Sequence, residues 1–238
     1  MLPADIDLPK ILAILLIFIS WAAYQPILGM AGRGTLNIQL HVVRQHWMRM
    51  LLKTRREHRT FDAVMLGHIV NSVAFFGSAT LIVLVGLVGT LVSVTRVYAA
   101  VRELHFVAPV SVEVFSIYLG VETVILAVSF FSFSYAQRKL AYTLAMIGGL
   151  RDSNAQLPEC MVMIDQTAIV LTEAVKSINN GIRGFYFAVA ALFLSAGPWV
   201  CIAATLVTTA ILYYRQKFSP TARAIERYVD ALEKLQAR

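Results

Sequence analysis

A long uncharged stretch near the C-terminal end of the sequence limits most strongly what this chain can fold into. It runs for thirty residues from Phe185 to Tyr214, and Gly197-Pro198-Trp199 interrupts it near its middle. A helix needs about 20 apolar residues to cross a hydrocarbon core of about 30 Å. The stretch is therefore long enough to cross a membrane, and it predicts that the chain is built from membrane helices.

Pro198 divides this stretch, because proline removes a backbone donor and clashes with the preceding helical turn. Two structures are compatible with the break. The stretch forms either one long, kinked span or a re-entrant hairpin that turns at Gly197-Pro198 and returns to the side from which it came. In either structure, protein or water must surround the break, since backbone groups without a hydrogen-bond partner are not tolerated against lipid.

The composition of the whole chain agrees with a membrane protein. Of its 238 residues, 58% are hydrophobic and 15% are charged, whereas about 25% are charged in soluble domains. The mean hydropathy is +0.68, and the apolar residues form long blocks. The net charge of +7 could suggest nucleic acid in a soluble protein, but here Lys and Arg flank the apolar blocks. We therefore expect membrane lipids with anionic headgroups, and no nucleic acid, as partners.

Four apolar segments predict an all-α, polytopic helical membrane protein with additional surface amphipathic helices. Within a membrane domain of residues 1–218, the segments lie at about residues 8–28, 69–92, 115–135 and 185–214. Small residues recur in the second segment, which predicts a central place in the bundle. A basic amphipathic helix in the first loop is expected on the membrane surface. Residues 219–238 predict an amphipathic tail helix, with Ser219 as its N-cap.

The distribution of basic residues allows two topologies. The first loop, Ala31 to Gly67, holds seven of the 21 Lys and Arg residues and should be cytoplasmic. Four simple spans would then put the C-terminal tail outside, although the tail holds six Lys and Arg residues. A hairpin at Gly197-Pro198 would return the tail to the cytoplasm, beside the first loop.

Several stretches of the sequence are similar to those of one family. They are FDAVMLGHIVNSVAFFGSATLIVLVGLVGTL, FFSFSYAQRKLAY and GIRGFYFAVAALFLSAGPW, followed by LYYRQKF. Each joins aromatic, small and basic residues in a fixed order, and together they resemble an uncharacterised membrane family, domain of unknown function 599. The resemblance covers about Ser20 to Ser219. It implies a helical protein of about four spans, here in a bacterial inner membrane, and it implies no activity.

Three residues are candidates for a transport or structural polar site: Glu122, Asn71 and Pro198. Glu122 is an acidic residue inside an apolar segment, where a carboxylate is costly and serves as a proton relay, an ion site or a structural pair. Asn71 lies near the start of the second segment, and Pro198 breaks the last one. Six basic residues are candidates for contacts with lipid headgroups or anions: Arg55, Arg56, Arg59, Arg138, Lys139 and Arg183.

The sequence predicts no cofactor and no metal site. The two cysteines, Cys160 and Cys201, have neither zinc spacing nor the pattern of a disulfide framework. His58, Asp62 and His68 are the set most worth testing as metal ligands, but the histidines of this chain lie in loops or at span ends. Phosphate-binding loops, zinc-protease motifs and nucleophile elbows do not occur, so we do not expect an enzyme.

Three classes of function remain. A structural or accessory subunit, or a self-assembling membrane protein, is favoured by the small-residue segment, the aromatic cluster at residues 130–135 and the apolar stripe of the tail. This class predicts a homo-oligomer or a place in a larger membrane complex. An oligomeric channel or transporter for a small ion or solute is the alternative, because such sites use broken helices and buried carboxylates. A membrane enzyme is the third.

Overall fold

The structure is a computed structural model that describes residues 5–30, 36–53, 60–104, 107–150 and 157–236. Within these ranges the regular secondary structure is entirely helical, as predicted. The short 3-10 helix Phe193–Ala196 lies between the sixth and seventh α-helices. In chain order the α-helices are α1 (Leu8–Met30), α2 (Leu36–Lys53), α3 (Thr60–Val92), α4 (Val94–Val101), α5 (Val112–Gly149), α6 (Pro158–Leu192), α7 (Pro198–Lys217) and α8 (Pro220–Gln236).

Three helices are much longer than a membrane crossing requires. α3 has 33 residues, α5 has 38 and α6 has 35, so at 1.5 Å per residue they are about 50 to 57 Å long. α6 continues through Asn179-Asn180-Gly181, although this sequence is typical of a turn at the end of a helix. The cost of glycine inside a helix is only about 1 kcal/mol, and Gly181 is buried, so packing against neighbours outweighs it.

The chain reverses its direction between α6 and α7. Gly197 follows the 3-10 helix with a φ of 126°, a conformation that favours glycine. Pro198 is the first residue of α7, where a missing N–H costs no hydrogen bond. The Cys201 thiol lies 3.5 Å from the Ala190 carbonyl oxygen, whereas eleven residues of one continuous helix would separate them by about 16 Å. The break at Gly197-Pro198 is therefore a hairpin turn and not a kink.

Contacts divide the chain into two compact units. The first unit comprises Met1–Ile27, Ser78–Phe131 and Asn180–Tyr213. The second unit comprises Leu28–Gly77, Ser132–Asn179 and Tyr214–Arg238. The tail helix predicted from residue 219 onward thus belongs to the second unit together with the first loop.

In the first unit, α5 and α6 pack closely against each other. A Cβ atom added to Gly184 of α6 would lie 1.8 Å from Oγ of Ser129 on α5. The segment after α4 also contacts the hairpin turn, since the Ala108 N–H donates to the Ser195 carbonyl at 2.9 Å. The fully buried side chains of this unit include Ile17, Ile125, Phe187 and Leu194.

In the second unit, the tail helix α8 packs on α2. Val229 and Leu232 of α8 are buried, as are Met48 and Leu51 of α2. α2, which lies in the first loop, therefore covers part of the apolar stripe of the tail, while Tyr228 and Leu235 of the stripe are exposed. The predicted N-cap is confirmed, because Oγ of Ser219 accepts a hydrogen bond from the Ala222 N–H at 3.1 Å.

α3 and α5 are the helices of the described chain that are long and apolar enough to cross a membrane. The four predicted membrane segments are not all confirmed by this criterion. The most apolar window of α3 has a mean hydropathy of 2.2, yet only 6% of it is buried. Cβ atoms at Gly86 and Gly89 would meet nothing within 4 Å. The prediction of a central place for this segment is wrong, because Gly86 and Gly89 face outward and most of the window is exposed.

Candidate functional site

The buried face of α5 carries three polar side chains in the first unit. Tyr118, Glu122 and Ser129 are spaced four and seven residues apart, which places them on one side of the helix. Glu122 is 7% exposed, and the other two side chains are also buried. The Ser129 hydroxyl donates to the Ile125 carbonyl at 2.9 Å, so its hydrogen-bonding needs are met within α5.

The Glu122 carboxyl group has no counter-ion among the described residues. Among the residues that the structure describes, no hydrogen bond or ion pair reaches it. The Tyr118 hydroxyl, one helical turn away, is fully enclosed and also has no hydrogen-bond partner. The Glu122 oxygens are not fully enclosed. A carboxyl group without such a partner in an apolar bundle is a candidate for binding and releasing a small cation or a proton.

The other two residues of the predicted polar site lie elsewhere. Asn71 is exposed and belongs to the second unit. Pro198 belongs to the first unit, where it starts α7 and has a structural role in the hairpin. In the part of the chain described, the structure thus supports Glu122 as a candidate polar site and does not group the three residues together.

Arg183 forms a second polar site in the first unit. It is 6% exposed, and its guanidinium carbon lies 4.9 Å from the centroid of the Tyr24 ring. The Tyr24 hydroxyl donates to the Leu212 carbonyl at 2.9 Å. Residues of α6, α1 and α7 therefore build this site together, and the sequence alone did not predict that Tyr24 takes part.

The remaining basic candidates differ from one another. Arg138 is exposed, and its contact with lipid headgroups stays a prediction. Lys139 is instead bound within the second unit: its ammonium group lies 3.7 Å from the Glu173 carboxylate and donates to the Ser177 hydroxyl at 3.0 Å. The other three, Arg55, Arg56 and Arg59, lie outside the described residues.

The sequence did not predict the polar contacts between α2 and α6 in the second unit. Asp165 of α6 accepts hydrogen bonds from Gln45 at 2.9 Å and from Arg49 at 3.3 Å. Gln45 shares a helix face with His41 and Asn37, because the three are spaced four residues apart. This polar spacing was visible in the sequence, but it did not show which helix lies opposite.

Thr172 of α6 is the centre of a second set of these contacts. Its hydroxyl lies 2.9 Å from Nδ1 of His41 and accepts a hydrogen bond from Arg44 at 3.2 Å. Burial lowers the pKa of the Arg44 guanidinium to about 10, so Arg44 is still charged at neutral pH. These bonds join α2 to α6 through polar groups. On the apolar side of α2, which was expected to lie on the membrane, Leu51 is buried and Met50 is exposed.

Metal ligation finds no support in the described residues. They contain no group of three or more His, Cys, Asp or Glu side chains that could hold an ion. His58, one of the three residues considered as ligands, lies outside them. Cys160 and Cys201 are both free and buried.

Comparison with known proteins places the chain in a family. The profile described as "Protein of unknown function, DUF599" matches residues 12–221. The chain belongs to this family. The match confirms the resemblance found in the sequence, and the family description assigns no activity. Comparisons with curated proteins and with solved structures gave no match.

Proposed function

We propose that this DUF599 protein is a multi-pass inner-membrane protein that acts as a structural or accessory subunit, assembling with its own copies or with a partner protein. The exposure of α3 carries the proposal. A core helix of a soluble protein can be as apolar, but it is mostly buried, whereas the apolar window of α3 is 6% buried. Water is an unfavourable solvent for such a surface, at about 25 cal/mol per Å². Lipid or another membrane protein therefore covers it.

The charge distribution supports five membrane passes with the C-terminus in the cytoplasm. Seventeen of the 21 Lys and Arg residues fall in the ranges of the second unit. We assign the first-unit segments of α1, α3, α5, α6 and α7 to the bilayer, and the second unit to the cytoplasm. The packing of α8 on α2 supports this topology, because it gives the tail and the basic first loop a common side. The four basic residues of the first unit are Lys10, Arg96, Arg102 and Arg183.

Reporter fusions test this topology. We expect green fluorescent protein fused after Arg238 to fluoresce and alkaline phosphatase fused there to be inactive. Both results follow from a cytoplasmic tail. An active phosphatase at this end would refute the five-pass topology. Release of the protein from membranes by alkaline carbonate would refute integral membrane insertion itself.

Purification in a mild detergent tests the role as a subunit. We expect the native mass to show either a homo-oligomer or a stoichiometric complex with another membrane protein. A monomer that co-purifies with no other protein would refute this role while leaving the membrane location intact.

A second candidate function is transport of protons or small cations, and the Glu122 carboxyl group without a counter-ion favours it. The test is ion flux into proteoliposomes, followed with a pH-sensitive dye for protons. We expect Glu122→Gln to abolish the flux. Glu113→Gln is the matched control, because Glu113 lies on the same helix and is exposed. Absence of flux with the unchanged protein, or equal flux with Glu122→Gln, would exclude this function. We propose no catalytic activity.

A further inference from the structure

Arg183 is a buried cation whose position is fixed by an aromatic ring. Its guanidinium group lies over Tyr24, in the geometry of a cation–π contact. The hydrogen bond from the Tyr24 hydroxyl to the Leu212 carbonyl holds this ring in place. The guanidinium group is therefore positioned by three helices before any ligand binds.

The ring contact leaves the hydrogen-bonding capacity of Arg183 unused. A guanidinium group has five N–H donors, and among the described residues no acceptor or carboxylate is bonded to them. Burying a charge without a partner is costly. The side chain is 6% exposed, and a bound anion would supply the acceptors that these donors lack.

Glu122, the other buried charge of the first unit, does not neutralise Arg183. Gly184, the neighbour of Arg183 in sequence, packs against Ser129 of α5. Ser129 is seven residues from Glu122, which is about two helical turns or 10 Å along α5. The two opposite charges therefore lie at different levels of the same helix pair.

The sequence around Arg183 is typical of a membrane–water interface. Arg183 lies two residues before the uncharged run that begins at Phe185. Leu212, which binds Tyr24, directly precedes Tyr213 and Tyr214, and tyrosines are enriched at the level of lipid headgroups. An anion at this level is most simply a phospholipid phosphate. The planar guanidinium group matches phosphate in a bidentate geometry.

We propose that Arg183, positioned by Tyr24, binds the phosphate group of a phospholipid of the cytoplasmic leaflet. This inference rests on the membrane location proposed above. The proposed site is a specific one at a single buried arginine of the first unit. It is distinct from the general attraction between anionic lipids and the basic surface of the protein.

Binding of short-chain lipids to the purified full-length protein tests the proposal. The probes are dihexanoyl phosphatidylglycerol, dihexanoylglycerol, which lacks the phosphate, and inorganic phosphate. We expect the phospholipid alone to bind with measurable affinity, and we expect Arg183→Gln to weaken it about tenfold or more. Arg96→Gln removes an exposed charge of the same unit and is the matched control, for which we expect little change. Arg183→Lys keeps the charge but not the planar fork, so it should retain only part of the affinity.

Each alternative outcome is distinct. Equal losses of affinity in Arg183→Gln and Arg96→Gln would show general surface attraction and overturn the site. Binding of inorganic phosphate with the same affinity would overturn the lipid as the ligand, and binding of dihexanoylglycerol would overturn the role of the phosphate. If Arg183→Gln does not fold, Tyr24→Leu tests the same site by removing the ring that positions the guanidinium group. A protein that fails to insert into membranes refutes the proposed function, whereas an inserted protein with unchanged lipid affinity in Arg183→Gln refutes only this inference.

Discussion

Replacing Gly184 with alanine tests the close approach of α5 and α6. The new Cβ atom would lie 1.8 Å from Oγ of Ser129 and 3.1 Å from its Cβ. The Ser129 hydroxyl would have to rotate and lose its bond to the Ile125 carbonyl, which costs about 1 kcal/mol. Overpacking adds about 1 to 3 kcal/mol, while the helix propensity of alanine offsets about 1 kcal/mol. We expect a net loss of about 1 to 3 kcal/mol in the free energy of unfolding.

A double-mutant cycle with Ser129→Ala separates the steric contact from other effects. Ser129→Ala removes the oxygen that the new methyl group would meet, so the double variant should recover about 1 kcal/mol or more of the loss. The free energy of unfolding is measured by denaturant titration in detergent micelles, followed by circular dichroism. Gly120→Ala is the control, because it lies on α5 and its Cβ would meet nothing within 4 Å. It should be neutral or stabilise by up to about 1 kcal/mol.

Two results would refute the close approach. One is a Gly184→Ala variant with the same stability as Gly120→Ala. The other is additivity of Gly184→Ala and Ser129→Ala, because residues in contact are expected to couple. Either result would also remove the basis for placing Arg183 and Glu122 at different levels of this helix pair.

Three further substitutions test local features of the fold by the same measurement. Gly197→Ala should destabilise by about 1 to 3 kcal/mol, because a φ of 126° strains any other residue; unchanged stability would contradict this turn conformation. Ser219→Ala should cost about 1 kcal/mol through loss of the α8 N-cap and should speed amide exchange in the first turn of α8; equal exchange rates would contradict the cap. Trp47→Phe removes the donor that bonds Asp62 at 2.7 Å, so it should cost about 1 to 2 kcal/mol; a compensating effect of Asp62→Asn in the double variant would confirm the pair, and additivity would contradict it.

Features set by neighbouring residues were predictable from the sequence. The N-cap at Ser219 follows from a hydroxyl before a proline and an apolar stripe. The break at Pro198 follows from the chemistry of proline, and the choice of a hairpin over a kink agrees with the basic residues of the tail. In both cases the pattern and the resulting structure lie within a few residues of each other.

Features that depend on the partner helix were not predictable. The small residues of α3 predicted close packing, but Gly86 and Gly89 face outward, and the close contact lies at Gly184. The polar face of α2 was visible as a spacing, although Asp165 opposite it was not. Periodicity shows which side chains share a face, and it does not show what covers that face.

The buried charges of the first unit lead to a final prediction about Glu122. A structural acid would be expected to pair with Arg183, but Ser129, which contacts the neighbouring Gly184, lies about two turns from Glu122 along α5. A charge that is buried without a partner lowers stability. Residues that are retained for function commonly lower the stability of the fold in this way. We therefore expect Glu122→Gln to leave the free energy of unfolding within about 0.5 kcal/mol of the unchanged protein, or to raise it. Its effect should add to that of Arg183→Met, since the two sites share no partner. A loss of several kcal/mol, or strong coupling between the two substitutions, would show that Glu122 is structural and would exclude it as an ion site.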